Sequence, residues 1–585
     1  MPALLWFRRD LRLGDHPALA AAAGSEEVLA CFVLDPRLEG SSGRRRLQFL
    51  GDSLRRLRED LDGRLLVARG RPEEQIPRIA KEIGASSVHI SEDFAPFGRR
   101  RDEKVCAALD SVPLVATGSP YLVSPGRVTK QDGSPYKVFT PFLRQWRETG
   151  WRAPAKSSVE SARWIDPTDV RIRKDEIPDP GPGLDVAAGE AAALRQWKSF
   201  VDNGLKRYDK DRDRPDVEGT SRMSAHLEFG TIHPRTMVAD LNLRSNGARA
   251  YLRELAFRDF YADILHQWPA SAWRNWNRDF DTIKTDTGTE AKRRFAAWKA
   301  GETGFPIVDA GMRQLRETGF MHNRVRMIVA SFLVKDLHLP WQWGAEWFLD
   351  QLVDGDMANN QHGWQWCAGC GTDAAPYFRV FNPTKQGEKF DPSGSYIRRW
   401  VPELGDADDI HPAQRRTAAR VSRADRRPRC RTHRGAAPLS RHKLKRALAG
   451  QLAVDGGILL LSNPEGGVGW HGIAGRAIEF QRDERLALGE QQHGHRFGLV
   501  RRGARNHRAP VAHRNRLGVT AGHRVAQRRH RPVHRVGRAS GVGQDQDGVA
   551  DSVAVVGVCE HHRRPGHLVG VLDGRLRGSE NVWRR

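Results

Sequence analysis

The sequence predicts an α/β domain built on a doubly wound parallel sheet, followed by an all-helical domain and a basic tail. Short apolar, partly β-branched runs alternate with helically spaced leucines over residues 1–125. That alternation is typical of a parallel sheet with helices on both faces. Long amphipathic segments rich in Trp and Phe then occupy residues 196–405. The change of periodicity indicates two domains of different class.

The strands of the first domain are predicted from five short apolar runs. These runs are residues 3–7, 28–34, 65–69, 87–91 and 114–117. A helix is predicted after the second run, from leucines at positions 47, 50, 54, 57 and 61. No GxGxxG motif follows the first run. Phosphate cradling of a dinucleotide at that turn is therefore not expected.

Residues 126–195 are predicted to connect the two domains. Their second half is rich in Pro, Gly, Asp and Ser, including Pro-Asp-Pro-Gly-Pro-Gly at 178–183. In the helical domain the apolar spacing predicts helices over Arg253–Trp268, Pro306–Arg316 and Arg324–His338.

The formal net charge of +24 over 585 residues is concentrated in one part of the chain. Residues 411–585 contain 35 Lys and Arg against 13 Asp and Glu, which is +22 and leaves +2 for the first 410 residues. DNA binding by those 410 residues would therefore depend on a local basic patch. No run of 18 apolar residues occurs, and the charged N-terminus lacks an apolar signal core. We expect a cytoplasmic monomer with no membrane span.

Cys367 and Cys370 form a CxxC motif without a second CxxC or a His pair at zinc spacing. A metal or redox role would need such partners. The six cysteines are otherwise scattered, so no disulfide framework is predicted. We interpret the pair as small core residues and predict no metal site.

Three polar clusters in the helical domain suggest a cofactor pocket. Asp354 to Trp366 places two carboxylates, several amides and two indoles within thirteen residues, which suits a flat redox cofactor. Glu218–Ser224 offers hydroxyls and Arg222 to a phosphate. Glu254, Phe257, Arg258 and Tyr261 share one helix face, which fits a nucleobase pocket. A Trp-rich core with a polar cap, an ordinary helix N-cap and a buried ion pair would explain the same clusters.

The order of these clusters resembles the photolyase/cryptochrome family. The matching blocks read WFRRDLRLGDHPAL, EGTSRMS, RELAFRDFY, GFPIVDAGMRQL, TGFMHNRVRMIVASFLVKDL, DGDMANNQHGWQW and GTDAAPYFRVFNPTKQGEKFDPSGSYIRRW. They run from Trp6 to about Leu404, close to seven tenths of the chain. The resemblance implies the same succession of an α/β domain, a linker and a helical domain.

The resemblance also implies a U-shaped FAD enclosed by the helical domain. Asn360 matches the residue that faces flavin N5, and Arg326 matches the cation paired with Asp354. A buried carboxylate needs such a partner because an unpaired buried charge is costly. The other positions that match cofactor contacts are Tyr208, Thr220, Ser221, Arg222, Met223, Ser224, Tyr251, Arg258, Gly355 and Asp356.

The reaction implied by the resemblance is light-driven repair of cyclobutane pyrimidine dimers in UV-damaged DNA. Reduced FAD would supply the electron, and the dimer would have to leave the duplex to reach it. Trp366 is expected to stack on the extruded bases and Glu254 to hydrogen-bond their edge, with Asn323 and Met327 lining the pocket. The expected DNA contacts are Glu254, Phe257, Arg258, Tyr261, Asn323, Arg324, Trp366 and Gln386.

Two alternatives to dimer repair remain open within the family. Members that act on (6-4) photoproducts carry a second His where this chain has Asn323, and an amide suits the dimer better. A signalling cryptochrome need not keep Glu254, Asn323, Met327 and Trp366 together. All four are present, so dimer repair is favoured.

The chain departs from the family pattern at three places. Phe257 stands where the family has a Trp that stacks on the dimer. In the indole chain for photoreduction, Trp364 and Trp341 match, but the distal position falls near Gly288, and Trp298, Trp343 or Trp347 could replace it. The segment from Asp93 to Asp102 lacks the Asn-Glu pair of folate-binding members.

A second, light-harvesting chromophore is therefore expected to be of the deazaflavin type rather than a folate, at Arg46 and Asp93. A solvated charged turn beside an empty antenna site is the alternative interpretation of the same segment.

Residues 411–585 do not resemble the family ending. They contain 14 His, only two Lys among their 35 basic residues, and no Tyr. A shifted reading frame of GC-rich DNA would produce this composition. A genuine disordered basic extension that binds nucleic acid without specificity is the rival hypothesis. Both hypotheses predict no packed domain there.

Overall fold

The first part of the chain folds around a five-stranded parallel sheet in the order β3-β2-β1-β4-β5. The computed structural model describes residues 1–179, 181, 184–374, 379–407 and 410–411. The strands are β1 (Ala3–Phe7), β2 (Val28–Leu34), β3 (Leu65–Arg69), β4 (Ser87–Ile90) and β5 (Leu114–Ala116). All five lie where the apolar runs predicted them, and the doubly wound sheet is confirmed.

Helices cover both faces of this sheet. They are α1 (Pro17–Ala22), α2 (Pro36–Ser41), α3 (Arg44–Asp60), α4 (Pro72–Glu82) and α5 (Pro96–Ala108). Leu5 and Phe7 of β1 enter one core, whereas Leu4 and Trp6 enter the other. Because both faces are buried, the strands are continuously apolar instead of alternating.

The strand order reverses between β1 and β4, where the carboxyl ends of parallel strands leave a crevice. Charged side chains fill this position. Arg8 follows β1 and donates two hydrogen bonds to Asp102, at 2.7 and 2.8 Å. Arg101 pairs with Asp93 at 3.2 Å, and both guanidinium groups lie over the ring of Trp6.

The connection between the domains is more structured than a linker composition suggests. It contains α6 (Phe139–Thr149), whose Phe142 and Trp146 pack in the same core as Trp197 of the helical domain. Further along, Trp164 forms a bridge with Val28 of β2. Residues 126–195 thus contribute to both domains while crossing between them.

The second domain contains helices and, among its described residues, no strand. Its helices are α7 (Glu190–Asn203), α8 (Tyr208–Asp211), α9 (Ser224–Phe229), α10 (Pro234–Ala239), α11 (Asn246–Gln267), α12 (Thr289–Ala300), α13 (Pro306–Thr318), α14 (Asn323–Ser331), α15 (Trp341–Gln351), α16 (Met357–Ala368), α17 (Pro383–Phe390) and α18 (Ser395–Trp400). The predicted helix from Arg324 to His338 is divided, because a π-helical turn over Phe332–Asp336 follows α14.

Within the described ranges, no helix has both the length and the apolar character needed to cross a membrane. The predicted tail begins at residue 411, and residues 412–585 lie outside the described part of the chain. Both hypotheses about that tail therefore stay predictions.

Candidate flavin and nucleic-acid site

The loop before α16 holds the first two predicted cofactor residues, Asp354 and Asp356. Asp354 is buried and accepts hydrogen bonds from Nη2 of Arg326 at 2.8 and 3.1 Å. Nε of Arg326 donates to the Met321 carbonyl, which fixes the guanidinium. The predicted pairing of Arg326 with Asp354 is confirmed. It satisfies a buried carboxylate that would otherwise be destabilising.

Asp356 caps the N-terminus of α16 and also joins the two domains. Its Oδ1 accepts from the backbone N–H and side-chain amide of Asn359, each at 2.7 Å. Its Oδ2 pairs with Arg9, which follows β1, at 2.9 Å. The same guanidinium pairs with Glu228 at 2.6 Å.

One guanidinium therefore faces two carboxylates, and their pKa values move apart. Burial by itself raises the pKa of Asp356, but Arg9 and Arg258 reverse this and lower the pKa below its ordinary value. Burial raises the pKa of Glu228 to about 8, and the neighbouring Asp356 adds to that rise. The raised pKa favours the protonated form of Glu228 at neutral pH, whereas Asp356 stays ionised.

Asn360 and Trp364 lie one turn apart on α16. The Nδ2 of Asn360 donates to the Ala345 carbonyl at 3.0 Å and to Oε1 of Gln361 at 2.8 Å, which leaves its Oδ1 as an acceptor. Trp364 is 2% exposed, and its Nε1 has no hydrogen-bond partner among the described residues. A Cβ on Gly344 would lie 2.1 Å from the Trp364 ring, so this position requires glycine.

The hydroxyl-bearing segment lies beside a cluster of aromatic rings. Ser221 Oγ is 2.8 Å from the Tyr251 hydroxyl, and the Tyr208 and Tyr251 rings are 5.1 Å apart. Arg222 adopts a left-handed φ of 53° and places its guanidinium 4.4 Å from the centre of the Phe320 ring. The segment therefore offers hydroxyl and guanidinium donors. Its other members are Thr220, Met223 and Ser224, and Ser224 begins α9.

Glu254 and Arg324, predicted to contact DNA, are both held by one short segment after α8. Arg212 donates to Oε1 of Glu254 at 2.6 Å, and Asp213 accepts from Arg324 at 2.8 Å. The side chains of Arg212 and Glu254 are 27% and 29% exposed. Two neighbouring residues thus connect α11 with α14 at a partly exposed surface, where Asn323 is also exposed. This surface, formed by Arg212, Asp213, Glu254, Asn323 and Arg324, is called the rim.

Around this rim, the structure brings several other predicted residues together. Phe257 stacks on Phe139 with 3.4 Å between ring centres, and Tyr261 stacks on His362 at 5.6 Å. Cys367, next to the half-buried Trp366, lies 3.8 Å from the Met327 carbonyl. Gln386 is half-buried on α17. Among the described residues, no hydrogen bond or ion pair joins Gln386 to the residues of the rim.

Arg258 is directed away from a DNA contact. Its two terminal nitrogens donate to the carbonyls of Pro120 and Leu227 at 2.7 and 3.0 Å. The guanidinium lies over Tyr121, 4.6 Å from the ring centre. These bonds hold Arg258 at the domain boundary, and the predicted contacts of Arg258 with the cofactor and with DNA stay predictions.

The indoles form a chain that leads from Trp364 to Trp298. Their ring centres are 6.1 Å apart, and Phe348 touches both rings. Phe295 then connects Trp298, at 5.7 Å, with Trp343, at 5.4 Å. Trp341 instead donates its Nε1 hydrogen to Asn275 at 2.8 Å.

The two residues predicted for an antenna chromophore lie in different surroundings. Asp93 is half-buried beside Arg101 and accepts from the Ala95 backbone N–H. Arg46 donates to the Gly355 carbonyl at 3.2 Å, and burial lowers its pKa. Arg46 therefore touches the loop of the predicted flavin site, and no contact among the described residues links it to Asp93.

Cys367 and Cys370 are both buried thiols that do not bond to each other. Burial raises the pKa of each to about 12, which keeps both protonated and unreactive. Among the described residues, no three His, Cys, Asp or Glu side chains are grouped as metal ligands.

Several residues at these sites were not predicted from the sequence: Arg9, Arg212, Asp213, Glu228 and Phe139. Their partners are far along the chain, as with Arg9 and Asp356, 347 positions apart. The WFRRDLRL block contained Arg9, but nothing in the block indicated its partners.

Comparison with known proteins identifies two matched regions. A family model described as DNA photolyase matches residues 3–160. A second, described as the FAD binding domain of DNA photolyase, matches residues 251–446. The second match continues beyond Leu404, where the ordered sequence blocks end.

Individual relatives match over most of their own length. A deoxyribodipyrimidine photo-lyase of Thermus thermophilus is 41% identical over 407 residues, which is 69% of this chain and 92% of the relative. A class III photolyase structure from Agrobacterium tumefaciens has a TM-score of 0.67 at 34% identity, covering 78% of this chain and 98% of that one. An archaeal photolyase structure from Sulfolobus tokodaii, described with two FAD molecules, has a TM-score of 0.64 at 30% identity over 72% and 95% of the two chains. The chain belongs to the DNA photolyase family and carries its FAD-binding domain.

Proposed function

We propose that the protein repairs cyclobutane pyrimidine dimers in DNA, using light and reduced FAD. One observation carries the proposal. Arg212 and Asp213 bind Glu254 of α11 and Arg324 of α14 at a single rim. The same two helices pack against α16, which carries Asn360, Trp364 and Trp366. Residues suited to a base and residues suited to a flavin are thereby held in one bundle.

The described residues fit an FAD. Asp354 is fixed by Arg326 and Asp356 by Asn359, and Asn360, which follows them in the chain, keeps Oδ1 as an acceptor; such groups suit the polar edge of an isoalloxazine. Trp364 has a buried Nε1 without a partner among the described residues. Ser221, Tyr251 and Arg222 supply donors of the kind that bind phosphates and hydroxyls.

FAD, when bound and reduced, supplies an electron to the dimer on illumination. The protein residues provide position and polarity. Glu254 and the exposed amide of Asn323 can hydrogen-bond the edge of an extruded pyrimidine, and the half-buried Trp366 offers a stacking surface. The bond from Arg212 uses Oε1 of Glu254, so Oε2 can accept a hydrogen bond from the base edge.

The proposal is tested by illuminating the full-length holoprotein with an oligonucleotide that contains one thymine dimer. Loss of the dimer in blue light but not in the dark is expected. Glu254→Gln keeps hydrogen-bonding capacity, whereas Glu254→Ala removes it, and the Ala variant should bind the lesion roughly tenfold less tightly. Repair of a (6-4) photoproduct instead, or of neither lesion, would contradict the proposal.

We also propose that a second chromophore of the deazaflavin class, rather than a folate, binds near Asp93. The ion pair of half-buried Asp93 with buried Arg101 supplies charge, and the Trp6 ring supplies an aromatic face, at the crevice between β1 and β4. Chromatography of the chromophores released from purified protein tests this assignment. Release of a pterin, or of FAD alone, would overturn it. Mass measurement in solution tests the expected monomer.

A further inference from the structure

Phe139 is a buried ring that the proposed reaction has not used. It begins α6, in the segment that connects the two domains, and is 1% exposed. Its ring lies parallel to that of Phe257, with 6° between the planes and 3.4 Å between the centres. Phe257 is half-buried. One face of Phe257 is therefore covered by a fixed partner.

Phe139 is itself held by the loop that follows α16. The carboxylate of Asp373 accepts the backbone N–H of Phe139 at 3.2 Å. The Thr372 hydroxyl donates to the Lys137 carbonyl two residues earlier. These bonds attach the start of α6 to the helix that carries Trp366. The chain after α16, these two hydrogen bonds and the stacked rings thus link the segment of Trp366 to Phe257.

A cation also lies at the stacked pair. The guanidinium carbon of Arg253 is 5.0 Å from the Phe139 ring centre and 5.7 Å from that of Phe257. Directly overlaid aromatic faces repel through their quadrupoles, and a cation near the rings offsets this repulsion. The arrangement keeps Phe257 parallel to Phe139, where an isolated Phe could rotate.

We infer that Phe139 is a positioning residue for lesion binding: it fixes the plane of Phe257 and its spacing from Trp366. The inference rests on the proposed function. A single benzene ring provides less stacking surface than an indole, so its orientation before binding matters more. A ring already fixed against Phe139 loses less conformational entropy when a base stacks on it. Two phenyl rings in contact thereby act as one rigid aromatic surface.

Phe142 provides a matched control on the same helix. It is also 1% exposed, and its ring contacts are with Phe260 at 5.0 Å and Tyr136 at 6.5 Å. Among the described ring contacts of Phe142, none is with Phe257. Replacing either residue by Leu removes a buried ring from α6, but only Phe139→Leu removes the partner of Phe257.

The test compares dissociation constants for a dimer-containing oligonucleotide and an undamaged one, using full-length holoprotein. Phe139→Leu should weaken lesion binding about fivefold and leave undamaged DNA within about twofold. Phe142→Leu should change neither by more than about twofold. In a Phe257→Leu background the effect of Phe139→Leu should vanish, because the two residues act as a unit.

Equal losses for the Phe139 and Phe142 variants, or an undiminished effect of Phe139→Leu without Phe257, would overturn the inference. If Phe139→Leu fails to retain FAD, Asp373→Asn supplies the second variant, since it weakens the anchor and leaves both rings. It should lower lesion binding in the same direction, and an unchanged affinity would count against the inference. A wild-type holoprotein with no preference for the dimer would refute the proposed function as well.

Discussion

At the scale of single residues, Gly344 shows how closely the flavin-side indole is packed. A Cβ at this position would lie 2.1 and 2.6 Å from two atoms of the Trp364 ring and 2.7 Å from Leu333. Such distances require one of the side chains to move. Gly363, the neighbour of Trp364 on α16, has open space where a methyl group would point, with no heavy atom within 4 Å of its position.

We therefore expect Gly344→Ala to displace Trp364 and to lower the free energy of unfolding by about 1–3 kcal/mol. Gly363→Ala should be neutral or stabilising by about 0.5–1 kcal/mol, because Ala favours a helix interior. Urea unfolding of the two holoproteins measures both effects. Similar stability of the two variants would show that the Trp364 site can relax around a methyl group.

The predicted route of electron supply to the flavin can be tested at single side chains. Trp298 lies edge-to-face against Trp364, and Phe295 connects it with Trp343. Lys299 places its ammonium 4.8 Å from the Trp347 ring centre, which disfavours a positive charge on that indole. Of the indoles predicted as exits, the contacts thus favour Trp298 followed by Trp343.

Replacing Trp298 by Phe should slow photoreduction of bound, oxidised FAD, whereas Trp347→Phe should leave the rate unchanged. Time-resolved absorption after a light pulse measures this difference. Dimer repair by protein that was chemically reduced beforehand should be unaffected, since the lesion does not receive its electron through Trp298. Unchanged photoreduction in Trp298→Phe would remove Trp298 from the route.

At the scale of elements, the spacing of apolar residues predicted those strands and helices whose position depends on local sequence. The five strands and the start of α13 at Pro306 were located correctly because burial on one or both faces leaves a regular apolar pattern. The helix α6 was missed because Pro- and Gly-rich neighbours dominate its surroundings. The π-helical turn after α14 was missed because its apolar spacing continues that of an α-helix.

The start of α18 depends on the side chain of Asp391, which is fully buried and caps the first turn of the helix. Its two oxygens accept the backbone N–H groups of Tyr396 and Ile397 at 3.2 and 2.9 Å. Asp391→Ala should destabilise the protein by about 1–3 kcal/mol, because it leaves two N–H groups of the first turn without acceptors. The midpoint of urea unfolding measures this loss.

Asp406→Ala, at an exposed position beyond α18, serves as the control and should stay within about 0.5 kcal/mol of the wild type. A comparable change in both variants would mean that the cap is replaced by water.

At the scale of the whole molecule, the α/β domain and the helical domain share one charge cluster, in which Asp356 is buried and Arg9 and Glu228 are half-buried. Arg9, from the end of β1, pairs with both Glu228 and Asp356. Sequence patterns predicted Asp356 at the flavin site through the family resemblance, but they could not predict the cluster. Its members come from three separated segments, and only the assembled fold brings them together.

The cluster predicts a specific pH dependence of stability. Burial raises the pKa of Glu228 to about 8, so Glu228 contributes most stability while it is protonated in both states. The contribution of Glu228 to the free energy of unfolding falls as the pH rises above 4.5, the ordinary pKa of a Glu in the unfolded chain. It is lost by about pH 8, the pKa of Glu228 in the folded protein. Gln at this position stays neutral and can still donate to Asp356.

The stability of Glu228→Gln relative to the wild type should therefore increase by about 1–3 kcal/mol between pH 5 and pH 8, and then level off. Glu346→Gln, at an exposed position on α15, should show no such trend. Chemical unfolding of both variants across this pH range measures the difference. A Glu228→Gln difference that is constant or decreases with pH would mean that Arg9 keeps both carboxylates ionised.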